Sequence, residues 1–168
     1  MSWQIRPLRP ADLDGVLRVQ LACYGKGFVE PAEVYRRRIA SSAQCSLVAA
    51  DAGGAVLAYL AAYRSRLHAI TPLHGDFAQA GDSDTLYLHD MAVAPAHAGQ
   101  GMAGALLRAA RAQAAAWGPR YSALVAVQGA QAYWERHGYR LHGQLPPEQL
   151  QRLRGYGADA VYMVQEYR

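Results

Sequence analysis

Residues 86–107 read Leu-Tyr-Leu-His-Asp-Met-Ala-Val-Ala-Pro-Ala-His-Ala-Gly-Gln-Gly-Met-Ala-Gly-Ala-Leu-Leu, an apolar strand that runs through a glycine turn into a periodic helix. This pattern constrains the fold more than any other. Gly99, Gln100, Gly101, Met102, Ala103 and Gly104 put small or absent side chains at the turn. Backbone N–H groups at a helix N-terminus can there approach an anion that the helix dipole also favours. A turn made only for tight packing is the plainer alternative. The apolar strand before it and the helix after it favour a phosphate cradle.

The remaining chain supplies a frame for this unit. With 168 residues, 52% of them hydrophobic, a single domain spanning 1–168 is expected. Residues 3–8 suit an opening strand, and Pro10 with Asp12 and Asp14 suits the start of a helix, with proline in the first turn and acids at the positive end of its dipole. Leu13, Leu17, Leu21 and Tyr24 are expected to form its buried stripe. A second helix is expected over 31–40, followed by strands over 46–50 and 55–66 joined at Asp51-Ala-Gly-Gly54. Residues 68–84 lack periodicity and read as a long surface loop.

After the glycine turn a helix over 101–117 turns Met102, Leu106, Leu107 and Ala110 inward and Arg108 and Arg111 outward. The wholly apolar run 121–127 reads as a strand buried on both faces and parallel to the strand at 86, giving a right-handed β-α-β unit. A short helix over 129–137 and strands over 139–142 and 160–167 complete the pattern.

Composition excludes several classes. No run of about eighteen apolar residues exists, so neither a membrane span nor secretion is expected, and a cytoplasmic protein is. Cys23 and Cys45 lack metal-ligand spacing, so they are expected to be reduced and no metal is expected. The net charge is +4, but the basic residues are scattered. Arg36-Arg37-Arg38 reads as a solvated helix face rather than a nucleic-acid site.

Gly99-Gln-Gly101-Met-Ala-Gly104 satisfies G-x-G-x-x-G, yet strands and a hairpin precede it and no acid follows about twenty residues on, so a dinucleotide fold is rejected. No Lys-Ser/Thr follows, so neither is it a P-loop.

The element order and two motifs instead resemble the GNAT superfamily of acyl-CoA-dependent N-acetyltransferases. Met91-Ala-Val-Ala-Pro is similar to that family's fourth strand, and Ala98-Gly-Gln-Gly101-Met-Ala103 to its pyrophosphate loop. Ala130-Gln-Ala-Tyr133-Trp134-Glu-Arg-His-Gly138-Tyr139 is similar to its second signature. The implied fold is α/β (α+β sandwich-like): a mixed, mostly antiparallel twisted sheet of 6–7 strands, flanked by about four helices, with a splayed parallel strand pair. The implied co-substrate is acetyl-CoA and the implied partner an amine acceptor, with no nucleic acid or membrane involved, in a monomer or homodimer. Ala98 stands where Arg or Gln is usual, and Trp134 where a general-acid Tyr is common. A non-catalytic acyl-CoA-binding or sensor module is therefore the rival reading.

The resemblance implies that Met91, Ala92 and Val93 offer backbone N–H groups to the cofactor and that Trp134 walls its channel. An aliphatic amine with a pKa of about 10 needs a base before it can attack a thioester. Strand alternation turns Tyr87 and His89 away from the face of Leu86 and Leu88, so His89 is the leading base, against a packing role for the same ring. Asp90 follows, as an orienter of His89 or a binder of substrate ammonium, on condition that a β-bulge turns it to the same side. Tyr133 is the candidate acid, with Tyr156 second, although a thiol of pKa about 8.5 leaves without strict need of one. Tyr24, Phe28, Glu30 and Tyr87 are expected to line the acceptor pocket. Glu30, Asp76 and Asp82 are candidates to attract a cationic amine, against the plainer and favoured reading of each alone as a solvated surface acid.

Overall fold

The computed structural model describes residues 2–25, 30–77, 81–127 and 129–167. Seven strands form one sheet: β1 (Trp3–Pro7), β2 (Leu47–Asp51), β3 (Val56–Ser65), β4 (Thr85–Val93), β5 (Tyr121–Ala126), β6 (Arg140–Leu141) and β7 (Val161–Glu166), in the spatial order β1-β2-β3-β4-β5-β7-β6. Every pairing is antiparallel except β4 with β5. The parallel pair is joined through helix α3 (Met102–Ala114), as the apolar run at 121 requires.

The sheet is covered on both faces. On one side α1 (Leu13–Tyr24) and α2 (Ala32–Ala40) pack on Tyr59, Ala61, Tyr63 and Tyr87, and Tyr156 and Tyr162 complete that core. On the other, Met102, Leu106, Ala110 and Ala114 of α3 pack on Leu47, Leu60, Leu86 and Leu88, and Trp134 of α4 (Gln131–Arg136) packs against the same cluster. The inward face of α3 is the one its periodicity specifies.

Helix α1 is rotated relative to the expected stripe. Val16, Val19 and Gln20 are buried; of the expected stripe, Leu13, Leu17 and Tyr24 pack half-buried against the core, whereas Leu21 is 51% exposed. Gly15 explains the rotation, because a Cβ there would sit 2.8 Å from Val56. The helix therefore lies closer to β3 on its glycine face than a leucine stripe would allow.

A fifth helix, α5 (Pro147–Arg154), lies between the strands expected at 139–142 and 160–167, where the sequence reading assigns no element. It carries proline at its start, Glu148 in its first turn, and Arg152 and Arg154 in its last. Those are helix signals, but Leu150 and Leu153 alone make too thin a stripe for periodicity to register. Its work is to hold the long β3–β4 connection: Gln149 accepts from Ile70 N–H at 2.8 Å, Arg152 donates to Ile70 O at 3.0 Å, and Tyr156 donates to Thr71 O.

Candidate active site

Strands β4 and β5 pair only as far as Leu88 and Leu124, then part. β4 continues along β3, and β5 continues along β7, so a gap opens between them. Opposite Ala61 and Ala62 the β4 register shifts, with Ala61 facing Asp90 and Ala62 facing Leu88. The residue left unpaired by this bulge is His89. Two consecutive side chains, His89 and Asp90, thereby line the same cavity as Tyr87.

Along the rest of β4 the backbone groups alternate sideways. The carbonyls of Met91 and Val93 accept from Tyr24 Oη at 2.7 Å and Cys23 Sγ at 3.1 Å, while Ala94 N–H donates to Leu57 O on the far side. Ala92 shares the direction of Ala94, so its groups face β3. Of the three expected cofactor donors, Met91 and Val93 are turned to the gap and Ala92 is not.

At the end of β4 the chain makes the glycine turn. Gly99 and Gly101 both have φ of +81°, a conformation in which a Cβ is strained, and neither would have another atom within 4 Å of that Cβ. The space over the turn is open. Gly101 caps α3, whose first intrahelical bond runs from Ala105 N–H to Gly101 O. The N–H groups of Met102, Ala103 and Gly104 therefore have no acceptor within the helix. Met102 contributes backbone only, since its side chain is in the core, whereas Gln100 is exposed.

Two cavities meet at the bulge. One, of about 320 Å³, opens between β4 and α4 and is lined by Met91, Leu124, Ala130, Tyr133 and Trp134. The other, of about 60 Å³, lies on the α1–α2 side against Glu30, Leu73, Tyr87 and Tyr156. Tyr24, His89, Asp90, Val125 and Val127 belong to both. Tyr133 and Trp134 thus face the same cleft although neighbours on a helix. Burial raises the Tyr133 pKa and keeps its hydroxyl protonated at neutral pH.

The electrostatics around the bulge differ from the expectation for Glu30. Its carboxylate is 3% exposed and is gripped at both oxygens by Arg38, at 2.7 and 2.6 Å. His74 N–H donates to it at 2.9 Å, and His89 Nε2 lies 2.9 Å from Oε1. Burial opposes ionisation of Glu30, but the bonds from His89 and Arg38 and their charges outweigh it and hold its pKa far below the carboxylate range. Glu30 is therefore saturated, and not a free partner for a substrate cation. An ionised carboxylate only accepts, so Nε2 of His89 carries the hydrogen. In the neutral ring Nδ1 is then left with the lone pair.

Arg38, expected on a solvated face, is 1% exposed and packs its guanidinium 5.2 Å from the Tyr35 ring and 5.1 Å from Phe77. The triplet 36–38 carries no phase, and the buried acid that selects its third member lies eight residues away. Asp76 and Asp82, also expected near an amine, pair instead with Arg37 and Arg66. Phe28 lies outside the described residues.

Asp90 is differently placed. Its Oδ2 accepts from Tyr59, from Tyr35 at 2.9 Å, and from Gln20 at 3.4 Å. Among the described residues no cation lies within ion-pair distance of it. Gln20 also accepts from Glu30 N–H at 2.9 Å, so one amide ties both carboxylate sites together. The sequence reading does not single out Gln20, Tyr35 or Tyr59, and it takes Arg38 only as part of a solvated face. A glutamine on an otherwise apolar helix face, and the alternation of Tyr59 with Tyr63 on β3, are the signals that mark them.

Among the described residues, no group of three or more His, Cys, Asp or Glu gathers as a metal site, and no helix is long and apolar enough to cross a membrane.

Comparison with known proteins agrees with this geometry. Among solved structures, a GNAT family acetyltransferase from Brucella melitensis in complex with acetyl-CoA is 25% identical over 83% of each chain, with a TM-score of 0.61. The loading GNATL domain of CurA from Lyngbya majuscula superposes with a TM-score of 0.77 at 13% identity, covering 99% of this chain and 98% of that one. The PaiA N-acetyltransferase from Thermoplasma acidophilum, in complex with coenzyme A, gives 0.68 at 14% identity over 99% and 100%. No curated protein matches by sequence. The model of the acetyltransferase (GNAT) family matches residues 13–139, a span from the start of α1 to the residue before β6, and the chain belongs to that family.

Proposed function

We propose that the chain transfers an acetyl group from acetyl-CoA to a primary amine by direct attack in a ternary complex. The observation that carries this reading is the pair of unlike carboxylates at the bulge. Glu30 is neutralised by Arg38 and fixes His89, while Asp90 lines the cavity held by the hydroxyls of Tyr35 and Tyr59 and the Gln20 amide, with no cation paired to it among the described residues. An acetyl thioester supplies an acyl group already activated towards amines.

Each group then has a place. The open turn at Gly99 and Gly101, with the N–H groups of Met102, Ala103 and Gly104, fits a pyrophosphate. Met91 and Val93 edge the gap through which the cofactor arm would reach the bulge, and Trp134 and Tyr133 wall it. Asp90 attracts the substrate ammonium. The ammonium gives up one proton to His89 Nδ1, directly or through water, to free its lone pair, and the nitrogen sheds a second to water as the N–C bond forms and the C–S bond breaks. The departing sulfur is protonated by Tyr133 or by solvent. The acceptor cavity has aromatic and aliphatic walls in Tyr24, Leu73, Tyr87, Val125 and Val127, which suits the compact end of an amine.

Thiol release from acetyl-CoA, measured with a panel of primary amines, tests the reading. Amine-dependent turnover is expected, and His89→Ala is expected to lower kcat by roughly 10²–10⁴-fold while leaving acetyl-CoA affinity within about twofold. Tight cofactor binding with no amine-dependent turnover would make the chain an acyl-CoA-binding module instead. A turnover and pH profile unchanged in His89→Ala would remove His89 from the chemistry.

A further inference from the structure

The smaller cavity at the bulge carries two carboxylates, Glu30 and Asp90, and among the described residues no arginine or lysine lines it. The larger cavity that it joins holds Asp90 as its acid and again no arginine or lysine. His89 is the basic side chain they share. The guanidinium of Arg38 is taken up by Glu30 and is 1% exposed, and His74 turns Nδ1 to the same carboxylate at 3.9 Å. Glu30 is thereby balanced, whereas among the described residues no cation pairs with Asp90.

The bonds of Asp90 leave it open on one side. Oδ2 takes the donors of Tyr59, Tyr35 and Gln20, and Oδ1 takes none of them. Three donors on one oxygen are the partners of an acceptor-only, ionised carboxylate. Burial, and then the charge of Asp90, raise the pKa of Tyr35 and of Tyr59, so both phenols keep the protons they donate. The hydroxyls of the cavity are committed as well: Tyr24 donates to Met91 O, Tyr156 donates to Thr71 O, and Tyr87 bonds the Thr71 backbone. Leu73, Val125 and Val127 make the rest of the wall aliphatic.

An acceptor that enters as an ammonium meets Asp90 beside His89. A carboxylate on the adjoining carbon would lie in the same space with no cation, no uncommitted hydroxyl, and a like charge already present. We propose that the acceptor is a small amine whose carbon next to nitrogen bears no carboxylate, and that Asp90 makes the cavity reject the parent amino acid by charge. This rests on the acetyl-transfer reading above. Such a choice comes from a repulsion built into the site as much as from an attraction. The amino group itself does not make it, because in an amino acid that group is the less basic of the two and gives up its proton more readily.

Initial rates of thiol release at saturating acetyl-CoA and one fixed pH test this with two matched sets: isobutylamine, valine and valinamide, and 2-phenylethylamine, phenylalanine and phenylalaninamide. In each set the amide keeps the bulk of the acid without its charge. The amine is expected to exceed its parent amino acid at least about 100-fold in kcat/KM, with the amide within about tenfold of the amine. Asp90→Asn should narrow the gap between amine and acid to less than about tenfold, chiefly through loss with the amine. Use of the amino acid within about threefold of the amine overturns the proposal whether or not the variant folds. So does an amide as poor as the acid, which would mean exclusion by size, and so does an unchanged gap in an Asp90→Asn protein with wild-type circular dichroism. No turnover with any member of either set, in a chain that binds acetyl-CoA, would defeat the acetyl-transfer reading itself, a result distinct from equal use.

Discussion

The two sides of the cleft are built by opposite means. On the α3 side the cradle is backbone: φ of +81° at Gly99 and Gly101, N–H groups without helical acceptors, and open space above. On the α1–α2 side the holding is done chiefly by side chains, buried ions and phenols held by one another: Arg38 on Glu30, Glu30 on His89, Tyr35 and Tyr59 on Asp90. A backbone site is harmed by adding atoms and indifferent to most losses. A buried ionic site is harmed by losing either partner, because the survivor stays out of water without compensation.

The largest effect should come from the ionic side. Arg38→Met leaves Glu30 buried with its principal counter-charge gone, and is expected to cost about 3–5 kcal/mol of unfolding free energy at neutral pH. Glu30 has a depressed pKa in the folded wild type, so its stabilising contribution is present above the unfolded pKa of about 4.3 and is lost as pH falls below it toward the folded value. In Arg38→Met that depression is relieved. Denaturant melts of both proteins from pH 5 to pH 2 should therefore show the gap narrowing with acid, and a gap constant over that range would mean that Arg38 acts by packing alone.

A sharper contrast comes from the backbone side. Gly101→Asp adds a side chain and a negative charge to a left-handed position at the cradle, and coenzyme A affinity should fall at least about 100-fold with the His89–Glu30 pair intact. Retained binding would move the site elsewhere. The smallest expected effect is its complement: Gln100→Ala removes an exposed side chain from the same turn and should change coenzyme A affinity by less than about twofold. A large loss would show that the cradle is not made of backbone.

The same contrast governs what the sequence reveals. The cradle, the parallel pair and the inward face of α3 are local, so spacing and glycine placement announce them. The α5 helix and the rotation of α1 are set by contacts across the fold, and the leucines at 13, 17 and 21 suggest a stripe that Gly15 overrules by admitting β3 on the other face. The role of Glu30 depends on Arg38, and nothing within the Arg36-Arg37-Arg38 triplet distinguishes the one that turns inward. His89 and Asp90 were legible as a pair because alternation and a single bulge suffice to place both. Their supporting shell was not, since Gln20, Tyr35 and Tyr59 come from three separate elements.

The grip of α5 on the β3–β4 connection has a consequence for diversification. Gln149, Arg152 and Tyr156 hold that connection by the peptide groups of Ile70 and Thr71. Its path is thus held by backbone atoms that every amino acid but proline possesses. Leu73, which lines the acceptor cavity two residues beyond, can be exchanged without redrawing the loop that presents it. Under the proposed acetyl transfer, a chain built this way changes its acceptor by point substitution on a standing frame, and the first place to alter that choice is position 73.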